Sequence, residues 1–212
     1  MKRILCYGDS NTWGYIAGTD HLRYNSNERW TKLLQKNLGQ DFEIIEEGLN
    51  SRTLCSFDKR PGKEFCNGFE YLKPCLNSHD KLDFIVIMLG TNELKHAFNN
   101  TPKDILDMVK RYVHYITNFK SQIDKTRPEI VFCGIPLAQE NADFCKEENK
   151  FKGATEKSVE FNKLLEEYCL ENSLIYVNNQ DLSVGIDGIH LTKESHAKLA
   201  NRLTELFTAN FN

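Results

Sequence analysis

Four short polar segments of the chain hold residue types that do chemistry together. The first is Gly8-Asp9-Ser10-Asn11-Thr12-Trp13-Gly14. A serine directly after a buried strand stands at the strand's carboxyl end. A helix starting there aims backbone N–H groups into the same space. Such donors stabilise an oxyanion beside a serine nucleophile. The second segment, Glu47-Gly48-Leu49-Asn50-Ser51-Arg52-Thr53, offers the Gly48 N–H to a ligand. The third, Leu89-Gly90-Thr91-Asn92-Glu93-Leu94, offers the Asn92 amide as a side-chain oxyanion donor. The fourth, Gly185-Ile186-Asp187-Gly188-Ile189-His190-Leu191-Thr192, sets an Asp and a His three positions apart. In a tight loop the carboxylate fixes the imidazole tautomer and supports the imidazolium, while the other ring nitrogen acts as a base.

Each segment also has a plain structural reading. Asp9 or Ser10 caps a helix, Gly48 ends a strand, Asn92 caps or turns, and His190 sits on the surface of a capped loop. Taken together, a serine, a glycine N–H, an asparagine amide and an Asp–His pair are the parts of acyl transfer through a serine nucleophile. Asn11, Trp13 and Tyr15 follow the serine closely and are expected at a substrate pocket. Core packing under the first loop is an equal alternative for the two aromatics. A phosphate-binding loop is disfavoured, because the Walker spacing with its lysine and GxGxxG are both missing. The other histidines, at 21, 79, 96, 114 and 196, form no HExxH set. Cysteines at 6, 55, 66, 75, 133, 145 and 169 are odd in number and contain no CxxC. That argues against a disulfide framework or a four-cysteine zinc site, and for reduced thiols.

Positioning these residues requires an alternation of strands and helices. Strands are expected at 3–7, 42–45, 83–89, 130–134 and 174–177. Helices are expected at 27–38, 69–77, 102–123, 155–171 and 192–207. Thr101 reads as an N-cap with Pro102 at the first helical position, and Thr192 as the cap of the last helix. The segment 83–89 does not alternate with polar residues, as befits a strand buried on both faces. This order points to a parallel sheet with helices on both sides, in which ligands bind at the carboxyl ends of strands. Segments 55–68 and 136–153 look irregular and are too short to be domains. Lids, substrate walls and subunit contacts are the roles open to them.

Length and charge bound the rest. The 212 residues carry 27 basic and 30 acidic side chains, net −3. This argues against a broad nucleic-acid surface and fits a substrate held by shape and an oxyanion hole rather than by charge. The longest strongly apolar run, 84–89, is far short of the roughly 20 residues that span a bilayer. The apolar stretch near the N-terminus is too short for a secretory signal, so a cytoplasmic protein is expected.

The four segments, in this order, resemble the SGNH hydrolases, also called the GDSL-like esterase/lipase superfamily. Gly8-Asp9-Ser10-Asn11 is similar to the family's first block and Gly48 to its glycine block. Gly90-Thr91-Asn92 is similar to the third block, and the stretch from Asp187 to His190 to the Asp-x-x-His block. The run from Gly8 to Tyr15 looks like the small arylesterase and acyltransferase branch. The resemblance implies a flavodoxin-like three-layer α/β/α sandwich around a five-stranded parallel sheet, with residues 1–212 as a single catalytic domain. It implies a catalytic Ser10, Asp187 and His190, and an oxyanion hole from Ser10, Gly48 and Asn92. The expected activity is hydrolysis of small carboxylic esters through an acyl-serine, with no metal or organic cofactor. Acyl transfer, thioester cleavage and sugar O-deacetylation use the same residues. A non-catalytic flavodoxin-like module binding a small ligand is the rival from another class. The expected partner is a small-molecule ester, with no nucleic acid and no membrane span. Relatives of the arylesterase type are often homo-oligomers, and the two irregular segments are where contacts would lie. Two positions depart from the pattern: Asn11 stands where the family name has leucine, and Glu93 where an aspartate is usual. Asn11 matters little if Ser10 alone reacts, and Glu93 bears on the site only if it shapes the asparagine loop.

Overall fold

The computed structural model describes residues 1–211. Five strands, β1 (Lys2–Gly8), β2 (Phe42–Gly48), β3 (Phe84–Met88), β4 (Glu129–Cys133) and β5 (Ile175–Val177), form one parallel sheet. Their spatial order is β2-β1-β3-β4-β5. Seven helices accompany them: α1 (Ser10–Trp13), α2 (Trp30–Leu38), α3 (Gly68–Ser78), α4 (Pro102–Asn118), α5 (Asp143–Lys146), α6 (Ala154–Glu171) and α7 (Lys193–Phe211).

The strands explain the two cores. Side chains alternate across a strand, so Ile4 and Cys6 of β1 join one core, and Leu5 and Tyr7 the other. The first core holds Trp30 and Leu34 of α2 and Leu199 and Leu203 of α7. The second holds Leu72 of α3, Val109 of α4 and Leu165 of α6. Every residue of β3 is buried, as its unbroken apolar run requires. The sheet thus forms the middle layer of a three-layer sandwich.

Several element ends differ from the sequence expectation. The long helix α4 stops at Asn118 rather than at 123. Its last turn is closed by Arg127, whose guanidinium donates to the Thr117 carbonyl at 2.8 Å. A separate turn follows, in which Ser121 N–H donates to Thr126 O at 2.8 Å. Apolar Ile123 fits a continued helix by pattern, yet it is 70% exposed on that turn. At its other end α4 carries a full capping box: Asp104 N–H donates to Thr101 Oγ1, and Thr101 N–H to the Asp104 carboxylate. Helix α2 begins at Trp30, because the Asn25 carbonyl accepts from the N–H groups of Glu28 and Arg29 in a turn ahead of it.

The chain leaves β1 for β2 on one side, then crosses to β3 on the other. That reversal opens a crevice beyond the carboxyl ends of β1 and β3, where open parallel sheets bind ligands. Among the described residues, no helix is long and apolar enough to cross a membrane.

Candidate active site

The loop after β1 turns at once into α1. Asp9 is its N-cap and accepts the Asn11 N–H at 2.9 Å. Gly14 ends the helix in the left-handed region (φ 92°), with its N–H on the Ser10 carbonyl at 2.9 Å. A residue with a Cβ is strained there. Ser10 is thereby held at the first position of a one-turn helix, above the sheet. Burial pushes the Asp9 carboxyl up to about 6, against the Asn11 N–H and the nearby positive groups.

The histidine loop is built by Asp187. Its Oδ1 accepts the N–H groups of Ile189 at 3.2 Å and His190 at 3.0 Å. Gly188 takes φ 80°, and Gly185 N–H donates to the His190 carbonyl at 2.8 Å. The turn brings Asp187 Oδ2 within 2.6 Å of His190 Nδ1. His190 Nε2 lies 2.8 Å from Ser10 Oγ. Residues 180 positions apart in the chain thus form one hydrogen-bonded line. Burial alone would raise the Asp187 carboxyl, but the His190 ring and the two backbone N–H groups hold it below its ordinary value. The tyrosine ring of Tyr15 stacks on His190 with centroids 4.3 Å apart. That contact leaves the imidazole little room to rotate.

Asn11 joins the two loops. Its Nδ2 donates to the Ile189 carbonyl at 3.1 Å, and its Oδ1 accepts the Leu191 N–H at 2.8 Å. It does not line the cleft in which Ser10, Tyr15, Asn92 and His190 meet. Trp13 does not line it either; its ring packs with Tyr15 and under Arg23. Of the three expected pocket residues, only Tyr15 faces the cleft.

Asn92 stands on a 3₁₀ turn after β3 (Thr91–Leu94). Its Nδ2 donates to the Arg52 carbonyl at 3.0 Å, and the side chain borders the cleft. An amide nitrogen carries two hydrogens, so one remains for a ligand. Arg52 was not singled out by sequence reasoning. Its buried guanidinium donates to the carbonyls of Gly8 and Glu47 and lies 4.2 Å over the Tyr7 ring. It ties the ends of β1 and β2 together and presents the carbonyl that orients Asn92. An arginine in a polar loop gives no sequence signal for this work. Glu93 reaches the same loop: its Oε1 accepts the Leu54 N–H at 2.6 Å. Gly48 pairs with Gly8 in register and packs against α1; a Cβ there would stand 2.2 Å from the Trp13 nitrogen.

Both irregular segments wall the cleft, which encloses about 280 Å³: Arg60 and Lys63 come from the first, and Phe144, Lys150 and Phe151 from the second. Outside the cleft, ligand atoms of Glu47, Cys75 and His79 lie within 4.8 Å of one another. His79 Nε2 and the Tyr71 hydroxyl already bond Glu47, and Arg52 faces it.

A family model for GDSL-like lipase/acylhydrolase matches residues 4–203. Among solved structures, the aryl esterase of M. smegmatis is 33% identical over 99% of each chain, with a TM-score of 0.89. A carbohydrate acetylesterase from Sinorhizobium meliloti is 33% identical over 100% of each chain, with a TM-score of 0.91. A lipase/acylhydrolase from Enterococcus faecalis shares the fold at a TM-score of 0.71 with 16% identity. Comparison with curated proteins finds no match. Agreement of the family model over nearly the whole chain with two full-length likenesses at 33% identity places the protein in the GDSL-like lipase/acylhydrolase family, as a carboxylic ester hydrolase of the SGNH type.

Proposed function

We propose that the enzyme cleaves short-chain carboxylic esters, acetyl esters foremost, through an acyl-serine intermediate. The observation that carries this reading is the line Ser10 Oγ–His190 Nε2–His190 Nδ1–Asp187 Oδ2, at 2.8 and 2.6 Å. Ser10 Oγ attacks the acyl carbonyl, and His190 Nε2 takes its proton. Asp187 holds the tautomer that leaves Nε2 free and supports the imidazolium. The tetrahedral oxyanion is held by the N–H groups of Ser10 and Gly48 and by the free hydrogen of the Asn92 amide. The alcohol leaves with the proton from His190. Water, deprotonated by the same ring, then attacks acyl-Ser10 and returns the serine.

The small cleft favours a short acyl group. The two 33%-identical relatives, an aryl esterase and a carbohydrate acetylesterase, point the same way. We place the enzyme in a reducing, cytoplasmic compartment, because all seven cysteines are free and six are buried.

The test is covalent labelling with a fluorophosphonate probe, together with the burst of 4-nitrophenol from 4-nitrophenyl acetate. The native chain should label once and show a burst. Ser10→Ala should lose both while keeping its circular dichroism spectrum. A normal burst from Ser10→Ala would assign the nucleophile elsewhere. A native chain that neither labels nor turns over would favour a binding module.

A further inference from the structure

The near-neutral chain conceals a concentration of positive charge. Arg60, Lys63, Lys95 and Lys150 line the cleft beside Ser10 and His190, and among the described residues no Asp or Glu does. Three of these cations, Arg60, Lys95 and Lys150, also border an adjoining cavity of about 560 Å³. Phe57, Lys59 and Phe98 help to wall that second space. Its acidic groups are Asp58, already engaged, and the exposed Glu148 at its edge.

Lys95 is the telling residue. It follows Asn92 by three positions and is only 8% exposed. Its ammonium has no hydrogen-bond partner. The nearest carboxylate oxygen is Asp58 Oδ2 at 3.5 Å. Asp58 is gripped by Arg60, whose Nε donates to Oδ1 at 2.9 Å and to Oδ2 at 3.1 Å. Two cations therefore share one carboxylate. Burial, with Arg60 adding to it, pulls the Lys95 ammonium down to about 8, so it is still mostly charged at neutral pH. A buried ammonium without a hydrogen bond is costly unless something supplies one. The space it faces is where the substrate must lie.

We propose that the ester this enzyme prefers carries a second, ionised oxyanion, a carboxylate or a phosphate, which reaches from the bond at Ser10 to Lys95 and Arg60. This rests on the esterase reading above. The acyl carbonyl is at Ser10, and the anionic end extends towards the adjoining cavity. Lys150 stands at the entrance, bonded to Glu147 at 3.0 Å and lying 4.0 Å from the Phe144 ring centroid.

Three matched pairs test it by kcat/KM, each corrected for alkaline hydrolysis rate. 4-Nitrophenyl hydrogen glutarate against 4-nitrophenyl valerate places the charge on the acyl side. 4-Acetoxybenzoate and 4-acetoxyphenyl phosphate, each against phenyl acetate, place a carboxylate or a phosphate on the alcohol side. At least one anionic ester should be preferred about tenfold or more, the scale of one charge-assisted hydrogen bond. The responding pair identifies the side and the oxyanion. Lys95→Met should lower that anionic-to-neutral ratio about tenfold. Lys150→Gln, at a half-buried position, should lower it by a smaller factor and covers the case in which Lys95→Met fails to fold. No preference in any pair, from an enzyme that hydrolyses phenyl acetate through Ser10, would overturn the anion site and leave the esterase standing. A preference undiminished in both variants would also overturn it. No hydrolysis and no labelling of Ser10 would overturn both readings.

Discussion

Asn11 uses both ends of its amide on the backbone of the histidine loop, at 3.1 and 2.8 Å. The proposed nucleophile and its proposed base come from opposite ends of the chain, so some group must fix one against the other. The line from Ser10 to His190, the stacking of Tyr15 and the Gly18 N–H on Asp187 do part of this, and Asn11 adds two direct bonds to the loop backbone. Asn11→Leu keeps the branched shape and heavy-atom count, adds some volume, and leaves the Ile189 carbonyl and the Leu191 N–H buried without these partners. Each such group costs about 1–3 kcal/mol. We expect a lower Tm and a fall in kcat of about tenfold to a hundredfold with little change in KM, because misplaced reacting groups slow the chemical step. Unchanged kcat with a lower Tm would limit Asn11 to a structural role.

At the scale of elements, the serine stands where it does because α1 lies directly across the end of β2. Gly48 permits that crossing: its added Cβ would meet the Trp13 nitrogen at 2.2 Å and the Trp13 Cα at 2.6 Å. Both are backbone atoms that cannot swing aside. Gly48→Ala should therefore cost about 1–3 kcal/mol, as overpacking in a filled interior does. It should also slow fluorophosphonate labelling of Ser10, since the helix that carries the serine must shift. Denaturant unfolding and labelling rate, read together, check this. A variant with native stability would mean that α1 is not held against β2 in this way. The same logic governs the 3₁₀ turn after β3, where Asn92 and Glu93 both reach back to the loop that follows β2.

Across the whole molecule, the buried acids of the site make stability depend on pH. Burial pushes the Glu93 carboxyl up to about 7 from an ordinary 4.5, although the N–H groups of Leu54, Ser56 and Cys55 pull it down. Between those values the folded chain holds a proton that the unfolded chain has released. Stability from this group is full below about pH 4.5 and is lost as pH rises through about 7. The loss is on the order of 3 kcal/mol. Asp9, raised to about 6, adds a slope of the same sign. Buried His196, whose imidazole is pulled down to about 3, works in the opposite sense between that value and about 6.5. The two acids together outweigh it, so urea unfolding of the native chain should show it less stable at pH 7.5 than at pH 5. Glu93→Gln should reduce that difference, and equal slopes in both proteins would rule Glu93 out as the titrating group.

The sequence by itself determined the alternation of elements, the parallel sheet and the four strand-end loops. Each rests on local periodicity and local turn chemistry. The Thr101 cap and the Asp187–His190 turn were legible for the same reason, since their partners lie within four residues. Element ends were less so: α4 stops at Asn118, where Arg127 from beyond the next turn takes the Thr117 carbonyl of its last turn. What only the tertiary structure decided are contacts between residues far apart in the chain. Arg52 orients Asn92, and Asn11 leaves the pocket to bracket the histidine loop. Trp13 turns away from the cleft, and the irregular segments become its walls. Charge follows the same rule. A net of −3 is a sum over the whole chain, whereas the field at an ester bond depends on which few side chains the fold brings close. Folding sets Arg60, Lys63, Lys95 and Lys150 around one cleft because three loops, those after β2, β3 and β4, meet over the same sheet end.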